Sequence, residues 1–199
     1  MADAGLEAFL GRVMEHLPGL SSDRFSSQSW RFENRPTNEG LGLKPRVELD
    51  VDKVAARILD VEAYSANIKF VESCEMTNKI SDSEQVYTQR MKLPALGGIQ
   101  VSLHMVDLGE RDGYRVVGWS QDDAGTEALN PKQGGARTQY NLGAWLITPT
   151  SLAYALSAAP VKKDVGGLKF AIMTKGSDAG ASTVLSSNID AMIAWSQRD

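Results

Sequence analysis

Residues 177–197, SDAGASTVLSSNIDAMIAWSQ, carry a helical repeat. At about 100° per residue, Val184, Leu185, Ile189, Met192, Ile193 and Trp195 fall on one half of a helix, while Thr183, Ser186, Ser187, Asp190 and Gln197 fall on the other. A helix of this kind, about five turns long, is built to lie on a surface. Asn188 interrupts its apolar half between Leu185 and Met192. An amide there either bonds to a neighbour or faces a space that is not solidly packed.

The surface is supplied by the strand-like segments that precede the helix: Lys69 to Thr77, Glu84 to Lys92, Ile99 to Leu108, Tyr114 to Ser120, Arg137 to Ile147 and Ser151 to Ser157. Turn signals at Ser81-Asp82, Pro94 to Gly98 and Arg111 to Gly113, and a longer polar stretch from Gln121 to Gly135, divide them. Consecutive short strands with turn-length connections favour antiparallel meander pairing, because parallel pairs need crossover helices. Alternation is clearest at the end of the series. Tyr140, Leu142, Ala144 and Leu146 share one face of a strand; Asn141, Gly143, Trp145 and Ile147 share the other. With neither face plainly polar, the strand is central, or has one face on a core and the other toward a cavity or covering helix.

Upstream, residues 5–17 predict a short helix with Leu6, Phe9, Leu10, Val13, Met14 and Leu17 at helical spacing, ended by Pro18-Gly19. Residues 24–34 predict a weak strand and 35–42 a turn. Residues 42–49, GLKPRVEL, predict a strand whose Pro45 suits an edge. Asp50 or Asp52 can cap a helix over VDKVAARILDVEAYS, with Val54, Ile58, Leu59 and Val61 on its buried side. The expected class is α+β: a curved antiparallel sheet wrapped around a long C-terminal helix. If their contact is incomplete the interior is an apolar pocket; a continuous cavity over about 300 Å³ there separates ligand binding from a solid core, which would argue against any internal ligand.

Composition bounds the chemistry. The chain has 199 residues, 42% of them hydrophobic and 23% charged, ordinary values for one soluble globular domain. With 21 Lys and Arg against 25 Asp and Glu, the net charge is -4 and the signs are interspersed, so no nucleic-acid partner is expected. Cys74 is the only cysteine, and His16 and His104 are far apart in sequence, which argues against a disulfide framework, a metal centre or a cofactor ligand set. No phosphate-binding glycine pattern or nucleophile elbow is present. Neither a secretion signal nor a membrane-spanning segment is evident, and a cytoplasmic monomer is the expectation.

Four segments resemble the START-like, helix-grip superfamily, which includes lipid-transfer domains and polyketide cyclases: VDKVAARILDVEAYSANIKFVESCE, QVYTQRMKLPALGG, GAWLITPTSLAYALSAAP and NIDAMIAWSQR. Asp60 with Tyr64 matches the family's helix end and following aromatic. Trp145, Pro149 and Tyr154 match its Trp-x-x-x-Pro strand end and Tyr-bearing partner, and Pro160 through Gly166-Gly167 match the start of its last helical region. The resemblance spans roughly residues 40–197 and implies a single START-like domain over 1–199, with 1–39 an N-terminal helix and extension. The chain departs from the lipid-transfer branch at Gly98, Ile99 and Gln100, where that branch has Arg-Asp-Phe.

Among individual residues, Arg90 and His104 each have two orientations open: outward and solvated, or inward against a ligand. Trp119, Trp145 and Tyr154 are either core or pocket wall. Asn141 and Asn188 are either satisfied structural amides or the sparse polar fixtures that orient a ligand. Leu185, Ile189 and Met192 supply the apolar contact of the long helix. Met105 and Met173 are candidates for adapting a pocket to its ligand. Residues 121–135 are a candidate flap, and Cys74 reads as a quiet thiol. The leading expectation is non-enzymatic binding or transfer of a hydrophobic small molecule, a lipid by class, with transient membrane contact. The alternatives are a polyketide cyclase or aromatase using His104, Arg90 or Tyr154, and a protein-interaction domain without a cavity.

Overall fold

The computed structural model describes residues 3–93, 97–175 and 177–198, without the side chains of 93, 172, 173, 175 and 177–181. The expected turn from Pro94 falls in part, and the Met173 side chain wholly, outside the described residues. The chain opens with helix α1 (Ala4–His16), capped by the Asp3 carboxylate, which accepts from the Leu6 N–H at 2.7 Å. Strands β1 (Ser26–Trp30) and β2 (Glu39–Pro45) follow, then α2 (Val51–Leu59) and the single-turn helix α3 (Tyr64–Asn67). Next come β3 (Val71–Lys79), β4 (Glu84–Leu93), β5 (Gly97–Arg111) and β6 (Tyr114–Gln121). Two short helices, α4 (Asp123–Ala128) and α5 (Pro131–Gly134), lead to β7 (Ala136–Thr148) and β8 (Ser151–Pro160). The last elements are α6 (Lys162–Val165), α7 (Gly167–Lys175) and α8 (Ser177–Ser196).

The meander from β3 to β8 pairs antiparallel throughout, as the turn-length connections require, and β2 then adds beside β8 with β1 outside it. The result is one 8-stranded sheet in the order β1-β2-β8-β7-β6-β5-β4-β3. It is open, with β1 and β3 as its two edges. Beyond the end of β6, the start of β7 touches β5 directly, pairing Ile99 with Ala136.

Both faces of the sheet are covered, which explains the two apolar faces of β7. Leu142, Ala144 and Leu146 pack with Leu6, Phe9, Leu10 and Val13 of α1 on one side. Trp145 and Ile147 join α2 and α8 on the other. On that second face the helices lie side by side, α8 over β1, β2 and β8, and α2 over β5, β6 and β7. On the α1 side, Glu39 is fully buried yet satisfied: Arg12 donates to it at 2.7 and 2.8 Å, Trp30 Nε1 at 2.8 Å and Arg35 at 3.3 Å. Removing the carboxylate would leave two guanidinium groups facing each other at a half-buried seam.

Four expectations are corrected by tertiary contacts. The strand expected over 42–49 is β2 at 39–45, and Pro45 ends it instead of opening it, beyond the last residue that β1 pairs. Although β2 is internal, Pro45 therefore disturbs no ladder on its outer side. The helix expected over 51–65 breaks at Asp60 because the last carbonyls of α2 are taken by side chains. Gln85 donates to the Leu59 carbonyl at 2.7 Å and the Tyr64 hydroxyl to that of Ile58 at 2.6 Å. The polar stretch 121–135 is helical in two pieces tied to β5. Thr126 Oγ1 accepts from the Ser102 N–H at 3.0 Å, and the Gln100 amide donates to the Asn130 and Gly135 carbonyls at 2.9 Å each. Finally, the last helical region, expected to start from Pro160 through Gly166-Gly167, is divided: 162–175 forms α6 and α7 ahead of α8.

Helix α8 approaches the sheet closely because β2 presents glycines to it. A Cβ on Gly42 would stand 3.1 Å from Leu185 Cβ, 3.3 Å from Phe25 and 3.4 Å from Ile189. Gly42→Val is therefore expected to destabilise the protein by about 1–3 kcal/mol through overpacking. Gly11→Ala, in α1 with nothing within 4 Å of the added atom, should stabilise it by about 0.5–1 kcal/mol. Urea unfolding of the two variants checks both signs.

Candidate functional site

The layer between α8 and the sheet is organised by one transverse row of residues. Reading across paired strands, the row runs Gly40 of β2, Leu156 of β8, Gly143 of β7, Trp119 of β6 and Met105 of β5. Its two glycines leave depressions. Over Gly40 and Gly42 lies α8. Over Gly143 lies the indole of Trp119, whose ring atoms occupy the volume that a side chain there would need. Leaning across β7 in this way, Trp119 Nε1 donates to Asn141 Oδ1 at 3.0 Å in a buried bond. Tyr154 stacks on Trp119 with ring centroids 5.7 Å apart and lies 4.3 Å from Trp145. Three aromatic rings from adjacent strands thus form a continuous floor.

Helix α8 sets Leu185, Ile189 and Met192 on this floor, and all three are fully buried. Complete burial of each is worth about 1.5–3 kcal/mol. Asn188 sits among them, 9% exposed. Its Oδ1 has no hydrogen-bond partner among the described residues. Its amide lies against the Tyr154 hydroxyl. Burial pushes the Tyr154 phenol well above its ordinary range, and the Asn188 amide partly offsets that rise. The sequence pattern thus located an amide that the fold leaves half-satisfied.

The far end of the layer is closed by a second aromatic group. Tyr64 meets Tyr87 and Trp195 edge-on at 6.4 and 6.0 Å, and Arg57 covers the outer face of Trp195. Burial raises the phenols of Tyr64 and Tyr87 well above their ordinary value. Sequence reading assigned Tyr87 no role, although its position in an alternating strand carried the signal. Towards β3 and β4 the layer is less fully covered: Cys74 and Met91 are only partly buried against it. Burial pushes the Cys74 thiol up to about 12, so it is protonated and unreactive near neutrality.

Eight of the ten residues singled out from sequence are brought together here: Trp119, Asn141, Trp145, Tyr154, Leu185, Asn188, Ile189 and Met192. The other two are not. Strand parity sends Arg90 and His104 to the opposite face, since Tyr87, Leu103 and Met105 occupy the face toward α8. Arg90 donates to the Gln133 carbonyl at 3.0 Å, and His104 Nε2 lies 2.8 Å from Glu84 Oε1. That contact holds the Glu84 carboxyl below its usual range. Near it, burial pushes the Asp3 carboxyl up, but bonds from Ser120, Leu6 and Gly5 outweigh burial and lower it.

Two open clefts lie outside this layer. One, of about 420 Å³, sits between α3 and the outer side of α8, lined by Ser65, Asn67, Lys69, Ser187 and Asp190 among others. The other, of about 510 Å³, lies between α4 and α6, with Gln121, Glu127, Arg137 and Lys163 in its walls. Its floor is an engaged ion pair, Arg137 Nε donating to Asp164 at 2.8 Å. Among the described residues, no group of His, Cys, Asp and Glu is placed to hold a metal, and no helix is long and apolar enough to cross a membrane.

No family model matches the sequence, and no curated protein matches it either. The fold does match solved structures. A STAR-related lipid transfer protein from Xanthomonas axonopodis superposes with a TM-score of 0.71 at 16% identity, covering 90% of this chain and 97% of that one. Human STARD10 superposes with a TM-score of 0.71 at 13% identity, covering 99% and 83%. The Zhui aromatase/cyclase from Streptomyces sp. R1128 superposes with a TM-score of 0.55 at 13% identity, covering 88% and 95%. The chain therefore has the START-like, helix-grip fold expected from its sequence, shared by lipid-transfer proteins and ring-closing enzymes.

The buried phenols predict a pH dependence. In the unfolded chain tyrosines ionise near pH 10, whereas Tyr64, Tyr87 and Tyr154 resist ionisation in the fold. Above about pH 10 the unfolded state binds fewer protons, so stability is full below that pH and falls as pH rises. Tyr154→Phe should remove about 1.4 kcal/mol per pH unit from that slope, read from urea midpoints between neutral and strongly alkaline pH.

Proposed function

We propose that this protein binds, and hands on, a neutral hydrophobic small molecule of lipid class between α8 and the sheet, without transforming it. In this reading the sheet wraps the helix as a grip, and Trp119, Asn141, Trp145, Tyr154, Leu185, Asn188, Ile189 and Met192 contact the ligand. The observation that carries it is Asn188 Oδ1, buried with no partner among the described residues in the middle of an apolar helix face. A buried, unmet acceptor costs about 1–3 kcal/mol. A Leu or Ile would avoid that cost if the position served packing alone. A ligand hydroxyl would remove it, because a hydroxyl both donates and accepts and so satisfies the amide in either orientation.

The surroundings favour a neutral ligand. Two cations near this layer are paired with carboxylates, Arg115 with Asp107 and Lys44 with Asp190, and Arg57 lies over the Trp195 ring. A carboxylate or phosphate brought inside would find, among the described residues, only Arg57 at the Trp195 end, whose Nε is buried without a partner. The partly buried Cys74 and Met91 continue the apolar lining toward β3 and β4 and offer a way in. Fold likeness to proteins described as lipid transfer proteins supports the same class. A cyclase reading loses support because His104 and Arg90 face away from the layer, leaving the Tyr154 phenol, held protonated by burial, as its sole candidate.

Asn188→Leu is the test. The variant is expected to keep its stability within about 1 kcal/mol, since an apolar group replaces an unsatisfied one, and to lose most of the ligand that the wild type retains in native mass spectrometry. Equal retention in both proteins would contradict the reading. So would a wild type that carries nothing and takes up no added hydroxylated lipid.

A further inference from the structure

Trp119 and Gly143 stand directly opposite each other on β6 and β7, and the indole has sunk into the place of the side chain that Gly143 lacks. A Cβ built on Gly143 would lie 2.0 Å from Trp119 Cζ2, 2.4 Å from Cε2 and 2.5 Å from Cη2. Such separations are far inside van der Waals contact, so the ring rests on the β7 backbone itself. A strand side chain ordinarily stands roughly perpendicular to its sheet. This one lies down because a glycine faces it and because Asn141, on the same face of β7, accepts from its Nε1 at 3.0 Å. An alanine at 143 would complete the strand, and a leucine at 141 would be buried without needing a partner. The residues present instead give the ring a slot and a tether.

This seat lies where a molecule in the layer would pass. The indole leans from β6, which α2 covers, across β7 toward β8, which α8 covers. Tyr154 of β8 stacks on it at 5.7 Å, and the Asn188 side chain reaches that same tyrosine. Trp119 is therefore the floor beneath the seam between the two helices. Upright, the ring would stand in the layer; lying down, it takes up only its own thickness. It is also held there firmly, because lifting it would leave the indole N–H and the Asn141 carbonyl both buried and unpaired. The floor does not yield, so the thickness of a ligand has to be found by lifting α8, which already touches β2 through Leu185 and Ile189 at Gly42. A slim chain asks for the least lift.

We infer that Gly143 and Asn141 are positioning residues that hold Trp119 flat and so set the cross-section of the ligand, favouring an unbranched aliphatic alcohol over ring-shaped molecules. This selection rests on the reading that a hydrophobic molecule is bound between α8 and the sheet.

Competition between hexadecanol and cyclododecanol tests it. The protein is incubated with an equimolar mixture, freed of unbound alcohol by gel filtration and extracted, and the two alcohols are quantified by gas chromatography. The wild type should retain hexadecanol in excess. Gly143→Ala drives the indole up from β7 and should raise the ratio of hexadecanol to cyclododecanol by about tenfold, the scale of a one-methylene misfit in a binding pocket. Trp119→Leu combined with Asn141→Leu deepens the layer and should lower the ratio by a similar factor. The double variant replaces both members of a bonded pair with apolar groups, so no polar atom is left unmet, and it serves as the test even if the glycine variant does not fold. A general loss of stability would move both ratios the same way, so opposite shifts are the signature of the seat. A ratio that the double variant does not lower, or that both variants move in one direction, would overturn the inference and leave the interior site standing. Retention of neither alcohol by the wild type would contradict the binding reading itself, and this inference with it.

Discussion

The fold depends on how closely α8 can lie on the sheet. A helix resting on ordinary strand side chains would stand off from the β2 backbone, but Gly40 and Gly42 remove those side chains where Leu185 and Ile189 arrive. The helix then contacts β2 and β8 directly, leaving the aromatic side chains of β6, β7 and β8 to fill the space beside it. The same device is used once more within the sheet, where Gly143 lets the Trp119 indole lie across β7 and reach Asn141. Two depressions in one transverse row thus settle both the position of the helix and the shape of the floor beneath it.

Against that close contact, the placement of polarity is economical. Glu39 on the α1 side is buried and bonded on every side, and the amide of Gln85 meets the carbonyl of Leu59 at the end of α2. Trp119 and Asn141 satisfy one another. Arg57 Nε, Arg90 Nε and Asn188 Oδ1 are buried without a partner among the described residues, and of these Asn188 sits in the layer where fully buried Leu185, Ile189 and Met192 otherwise make a dry contact. A fold that meets so many of its buried polar groups leaves this one open at a cost comparable to a sizeable fraction of a domain's net stability.

Much of this was legible in the sequence, and the failures have physical causes. Helix α8 was readable from its 3.6-residue period, and the meander from β3 to β8 from alternation and turn spacing, because both signals are local. The division of β7 into two faces put Trp145 and Asn141 together, without saying which face meets α8. What was not legible depended on contacts across the chain. The break at Asp60 is set by Gln85 and Tyr64, the helices in 121–135 by Gln100 and Ser102 on β5, and the role of the β2 glycines by a helix more than 140 residues later. Arg90 and His104 failed to join the site for a simpler reason: strand parity was readable, but which parity faces α8 was not.

The central claim is that the α8–sheet layer holds a neutral hydrophobic molecule at Asn188. A crystal structure of the protein after incubation with a hydroxylated lipid tests it most directly. The account predicts density beside the Trp119–Tyr154 floor, with a polar atom of the lipid within hydrogen-bond distance of the Asn188 amide and α8 shifted to admit it. Density confined to the outer clefts near Ser187 or Lys163, with Leu185, Asn188 and Met192 packed as they are here, would contradict it.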